Sequence, residues 1–169
     1  LKVNVSTGDI KEVANTAQQG SHMVAYCSKD QRAYVANVFS GTVSIIDVSA
    51  NKLVTVVNFK AGIEGLDVSP DGSELWVANR NDSNVTVMNT ASNQKLAVLR
   101  THNLPFRVKF TPNGKFVAVS NGLSGNVSMY DAKEKRLIRD IDVTAEPGTD
   151  AVPVGIDVHT DSNYYFVCT

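Results

Sequence analysis

Val35-Ala36-Asn37, Val77-Ala78-Asn79 and Val119-Ser120-Asn121 begin at positions 35, 77 and 119, a strict period of 42 residues. A period in the range of about 20–50 residues marks a repeat architecture, because each unit is one supersecondary element that cannot bury its own apolar faces. The turn signals keep the same register. Ser-Pro-Asp-Gly at 69–72 becomes Thr-Pro-Asn-Gly at 111–114 and degenerates to Cys-Ser-Lys-Asp at 27–30. Proline presets φ and glycine accepts positive φ, so each copy contains a hairpin.

Four short strand-forming runs lie between these punctuators in every unit. In the second copy they are GLDVS, ELWVAN, NVTVMN and KLAVL. The alternation of apolar and small polar side chains in VTVMN and VSIID has the period of 2 that a strand requires, and no helical period is sustained. The chain therefore reads as all-β. Four strands in 42 residues is the signature of a β-propeller blade, whose two apolar faces are buried only by radial packing against neighbouring blades. An ordinary β-sandwich would not need such strict register. With 43% hydrophobic and 20% charged residues in 169, there is enough apolar material for one substantial core.

YVANVFSGTVSIIDVSANKLV, WVANRNDSNVTVMNTASNQKL and the SPDG turn resemble the YVTN-repeat β-propeller family, over essentially the whole chain. The resemblance implies blades of four antiparallel strands in a ring that usually numbers seven, and an exported or surface-associated protein: periplasmic, extracellular or on the cell surface. Its motif residues point to structure rather than chemistry. Asn37, Asn79 and Asn121 close the second strand, where an amide can satisfy turn backbone, and Asp47, Asn89 and Asp131 end the third.

The register divides the chain into an outer half blade (1–19), three whole blades (20–61, 62–103 and 104–145) and an inner half blade (146–169), about four blade equivalents in a single domain. The two halves are complementary. They could meet in one strand-sharing blade of a closed four-blade ring, or belong to an open arc that missing blades or a second chain would complete; the arc is the reading adopted. A loop through Glu146, Pro147, Gly148 and Asp150 is about six residues longer than its counterparts. Gly20-Ser21-His22-Met23 has the letters of a cleaved tag, yet Gly20 stands 42 residues before Gly62, so it reads as native sequence.

The same register turns isolated residues into ring positions. His22, Glu64, Phe106 and Val154 are equivalent, each where the chain enters an innermost strand at the mouth of the central channel, and Arg107 and Gly155 follow. His102 lies in the loop leading into the third inner strand, at the same end. Propeller loops around the mouth form the usual ligand face, so His22, Glu64, Phe106, Arg107 and His102 are the candidate ligand-binding residues. His22 and Glu64 could bind a metal or polarise a substrate, or simply line a solvated funnel. Further down the inner strands the equivalents read Ala25, Asp67, Lys109 and Asp157. The charges of Asp67, Lys109 and Asp157 would form either an inter-blade network or weakly coupled charges in a water-filled channel.

Sixteen basic and 17 acidic residues give no field favouring nucleic acid or an anionic membrane, and no apolar run of about 20 residues is present for insertion. Cys27 and Cys168 fall at different levels of a strand and are expected to be unpaired. No His/Asp/Glu cluster has local metal spacing, and no nucleophile, Walker or dinucleotide motif occurs, so neither metal nor cofactor is expected. The leading expectation is a noncatalytic binding or scaffold propeller that presents its loop face to a protein, glycan or small ligand. The alternative is a propeller enzyme, lactonase-like or a cofactor-bearing oxidoreductase subunit, with His22, Glu64 and Arg107 as the first residues to test.

Overall fold

A computed structural model describes residues 1–11, 14–144 and 150–169. Blade 1 is built from β3 (Ser21–Cys27), β4 (Arg32–Asn37), β5 (Thr42–Asp47) and β6 (Lys52–Asn58). Blade 2 contains β7 (Ile63–Val68), β8 (Glu74–Asn79), β9 (Asn84–Asn89) and β10 (Lys95–Arg100). Blade 3 contains β11 (Pro105–Phe110), β12 (Phe116–Asn121), β13 (Asn126–Asp131) and β14 (Arg136–Asp142). In each, four strands pair antiparallel in chain order. Two-stranded sheets flank them: β1 (Lys2–Val3) with β2 (Ile10–Lys11), and β15 (Gly155–Val158) with β16 (Tyr165–Cys168). No helix occurs among the described residues, and the architecture is a partial propeller of about four blades. The half blades form separate sheets here. The long loop at 146–148 lies outside the described residues.

Pleating explains why the core is divided into two seams. On β8, Leu75 and Val77 point one way and join Tyr34, Ala36, Val43 and Ile45 of blade 1. Trp76 and Ala78 point the other way and join Val108, Phe110, Val117 and Tyr130 of blade 3. A strand whose side chains alternate across the sheet can be apolar at every position only if both faces are covered. β8 is so covered, with Leu75 through Asn79 all buried. Trp76 anchors the second seam by edge-to-face contacts with Phe110 (5.7 Å) and Tyr130 (5.9 Å), the arrangement that aromatic quadrupoles favour.

Backbone conformation repeats with the sequence. Asn51, Asn93 and Lys135 all have positive φ at the turn before the outermost strand, and so do Gly20, Gly62 and Leu104 at the entrance to the innermost one. The motif asparagines are buried and bonded. Asn37 Nδ2 donates to Thr42 Oγ1 and Ser44 Oγ, Asn121 Nδ2 donates to Asn126 Oδ1 and Ser128 Oγ, and Asn79 Oδ1 accepts from the backbone N–H groups of Asn81 and Asp82. They tie strand ends to loops and leave no free group for chemistry. Both cysteines are free, Cys27 buried and Cys168 exposed.

Candidate functional site

β3, β7, β11 and β15 lie side by side in that order, which makes them the axis-facing strands of successive blades. The first three carry the same irregularity. Pairing of β3 with β4 jumps from Ser21 to Met23, that of β7 with β8 from Ile63 to Leu66, and that of β11 with β12 from Pro105 to Arg107. The residues passed over are His22, Glu64 with Gly65, and Phe106. A bulge bends the strand and re-aims the extra side chain, so the three equivalent positions are released from the ladder at the loop end.

Release lets Glu64 reach backwards across the seam. Its Oε1 lies 2.7 Å from His22 Nε2 of blade 1, and its Oε2 lies 3.0 Å from the NH1 nitrogen of Arg80, just beyond the end of β8. The Glu64 side chain is 2% exposed, against 49% for His22 and 32% for Arg80. A buried carboxylate is tolerated only when both oxygens find donors, and here each finds one. The consequence for His22 is specific. A carboxylate can only accept, so in the neutral ring Nε2 carries the proton and Nδ1 keeps its lone pair.

Gly20, Ser21, His22, Val38, Phe39, Glu64 and Arg80 line an open pocket of about 210 Å³ on the loop face. One N–H of Arg80 is engaged by Glu64, and a guanidinium has five. A larger hollow of about 830 Å³, also touched by Ser21 and His22, lies over the outward face of blade 1 beneath Leu1, Lys2, Asn15 and Thr16. Its walls are the apolar blade positions Val24, Ala33, Val35 and Ile46, a packing face rather than a set of convergent polar groups.

The other mouth candidates are placed differently. Phe106 and Arg107 are half-buried, and the Arg107 guanidinium stacks 4.7 Å from the Phe106 ring centroid. They approach Glu64 through Gly65: a Cβ built there would stand 2.4 Å from the Phe106 carbonyl oxygen. His102 does not join this group. Its Nε2 lies 2.9 Å from Asp140 Oδ2 on β14, and Asp140 Oδ1 accepts from Ser128 Oγ, so His102 fastens the loop leaving blade 2 to the outermost strand of blade 3. His159 pairs with Asp161 at the opposite turn. Val154 is exposed, and its N–H donates to the Cys168 carbonyl.

Deeper in, Asp67 Oδ2 accepts from the Phe110 N–H of the next blade at 2.8 Å, and Oδ1 from its neighbour Val68 at 3.0 Å. Burial raises its pKa above the usual carboxylate value, with the two N–H bonds and the nearby Lys109 ammonium opposing. Lys109 Nζ sits 3.9 Å from Asp157 Oδ1, and Asp157 is largely exposed. The three charges thus do different things: Asp67 bonds one blade to the next, while Lys109 and Asp157 face each other loosely across the following seam. Among the described residues, no three His, Cys, Asp or Glu side chains cluster so as to hold a metal ion.

Arg80 and Phe39 are the site residues that sequence reasoning passed over. Both stand in the loop after the second strand, where the 42-residue equivalents of Arg80 are Val38 and Gly122 and those of Phe39 are Asn81 and Leu123. Departure from the repeat was the available signal.

The model of the family "Lactonase, 7-bladed beta-propeller" matches residues 2–147. No curated protein matches the chain. Among solved structures, Kuenenia stuttgartiensis hydrazine synthase superposes with a TM-score of 0.81 at 20% identity, over 91% of this chain and 43% of that one. Dihydro-heme d1 dehydrogenase NirN in complex with DHE does so with a TM-score of 0.69 at 21% identity, over 83% and 30%. The chain spans less than half the length of either structure.

Proposed function

The chain belongs to the lactonase, 7-bladed β-propeller family, and from that premise we propose that the pocket of His22, Glu64 and Arg80 is a hydrolytic site for a small lactone. The observation that carries this reading is the buried Glu64 carboxylate, bonded at 2.7 Å to His22 and at 3.0 Å to Arg80 from two different blades. It supplies in one pocket the two functions that acyl hydrolysis demands, a base for water and a donor for the carbonyl oxygen.

The steps follow from the donors and acceptors. His22 Nδ1 takes a proton from a water molecule as its oxygen attacks the lactone carbonyl carbon. Glu64 steadies the imidazolium that forms, as an orienting carboxylate does. The free N–H groups of Arg80 donate to the carbonyl oxygen as it becomes an oxyanion. On collapse the ring C–O bond breaks, the departing alkoxide takes the proton back from His22, and a hydroxy acid leaves. Arg107, stacked on Phe106 one blade away, adds positive charge to the same face.

A noncatalytic binding role on this face is the competing reading, and the exposed Phe39 and Leu123 at equivalent loop positions favour it. The YVTN-repeat resemblance adds export to the periplasm or cell surface as part of the same proposal. Titration of acid released from γ- and δ-lactones by the full chain separates the two. Lactone hydrolysis predicts saturable acid release that falls at least about 10²-fold in His22→Gln, with the β-sheet circular dichroism unchanged. Partner capture without turnover, equal in wild type and His22→Gln, would refute it.

A further inference from the structure

Phe39 is one wall of the pocket, and its setting differs from that of an ordinary surface aromatic. Gly20 has φ +71°, and a Cβ built there would fall 2.7 Å from Phe39 Cδ2, so the ring lies directly on the glycine backbone. The loop is pinned on both sides of it. The Val38 N–H donates to the Gly20 carbonyl at 2.9 Å, the Gln19 N–H to Ser40 Oγ at 2.8 Å, and the Ser40 N–H to the Gln19 carbonyl at 3.3 Å. One face of the ring is thereby fixed against backbone while the side chain remains 69% exposed.

The same loop position in blade 2 is Asn81, whose amide lies over Gly62 in the equivalent way, and in blade 3 it is Leu123. The aromatic thus stands only in the blade that supplies His22. At about 210 Å³ the pocket is below the ~300–1,000 Å³ of drug-sized sites, so it is sized for one small ring system. A rigid aromatic side chain lining the same small pocket as His22 and Arg80 matches a molecule with a flat ring that bears an acyl oxygen.

We infer that this pocket is selective for aromatic lactones, with the ring stacked on Phe39 and the carbonyl oxygen directed to Arg80. The inference rests on the reading of the pocket as a lactone site, and it makes Phe39 a specificity-determining residue. Phe39 touches the substrate ring but no reacting atom, so it acts on binding rather than on the chemical step.

Dihydrocoumarin and δ-valerolactone share the six-membered lactone and differ in the fused aromatic ring, which makes them the test pair for the full chain. Phe39→Leu is expected to raise KM for dihydrocoumarin about tenfold, the equivalent of one stacking contact. It should leave kcat, and both constants for δ-valerolactone, within about twofold, and Phe39→Tyr should restore the wild-type KM. Equal effects on the two lactones, or none on either, would overturn the inference. Should wild type hydrolyse neither, the hydrolytic reading fails on its own, and benzoate titration followed by NMR then decides the aromatic one. Benzoate shifting Gly20 and Ser21 resonances, with affinity about tenfold weaker in Phe39→Leu, would sustain it; no binding, or equal binding in the variant, would end it.

Discussion

Glu64 Oε1 lies 2.7 Å from His22 Nε2 although the two residues belong to different blades. The contact exists because the innermost strands of both blades are bulged at the same repeat position, which turns two ladder residues towards each other across the seam. Blade 2 alone would pair Glu64 with its own Arg80, but blade 1 alone would leave His22 without this acceptor. The juxtaposition of His22 and Glu64 is therefore a property of the ring and not of a blade.

Glu64→Gln keeps the shape and one acceptor but removes the charge that anchors both partners. It should cut lactone turnover at least about tenfold with little loss of fold, measured as kcat/KM beside thermal unfolding. Glu64→Leu leaves Arg80 without its acceptor and should cost about 1–3 kcal/mol of unfolding free energy in urea, since Arg80 can still reach water.

Gly65→Ala should loosen the seam between blades 2 and 3. Its Cβ would meet the Phe106 carbonyl oxygen at 2.4 Å and Arg107 Cα at 2.8 Å, both main chain and neither free to swing away. A destabilisation of about 1–3 kcal/mol is expected from overpacking. The Trp76 fluorescence should lose its buried character at a lower denaturant concentration than in wild type.

Trp76, the single tryptophan, is fully buried between Phe110 and Tyr130. Trp76→Ala should cost about 3–5 kcal/mol, the range for emptying a large aromatic from a packed core, read from urea unfolding by circular dichroism. A cost below about 1 kcal/mol would mean that this seam is not the core described.

Two aspartates should give stability–pH slopes of opposite sign. Burial raises the folded pKa of Asp67, so between its unfolded value, near 3.9, and that raised value the native state holds a proton the unfolded state lacks. Its contribution disfavours folding progressively as pH rises through this window and is complete above it. Hydrogen bonds from Ser69 Oγ and the Ser73 N–H lower the pKa of Asp71, so its stabilisation is present above the unfolded value and lost as pH falls through the depressed one. Urea unfolding across acid to neutral pH should show Asp67→Asn removing the first slope and Asp71→Asn the second.

The blades were legible because a propeller writes its geometry into the sequence every 42 residues: strand ends at Asn37, Asn79 and Asn121, and turns at 69–72 and 111–114. The equivalence of His22, Glu64 and Phe106 was legible for the same reason. The bulge was not, since it is a count of two residues against one on a neighbouring strand, and it falls at the first residues of each inner strand, where too few precede it for a break in alternation to be read. Arg80 and Phe39 were not legible either, because reading by repeats attends to what recurs and these residues stand where the repeat breaks. His102 shows the converse. It shares the loop end with His22, but the carboxylate it meets, Asp140, stands on the outermost strand of blade 3 and not on an inner strand.

The chemistry proposed for the pocket depends on one proton. Glu64 requires the hydrogen of neutral His22 to reside on Nε2, leaving Nδ1 as the base. Nitrogen-15 NMR of the histidine rings in the full chain, assigned by the loss of one ring in His22→Gln, reads that proton directly. A His22 ring protonated at Nε2 and bare at Nδ1 is expected in wild type, reverting to a solvent-averaged mixture of tautomers in Glu64→Leu, which offers the ring no partner. A wild-type His22 protonated at Nδ1, or already averaged between the two nitrogens, would contradict the proposed chemistry.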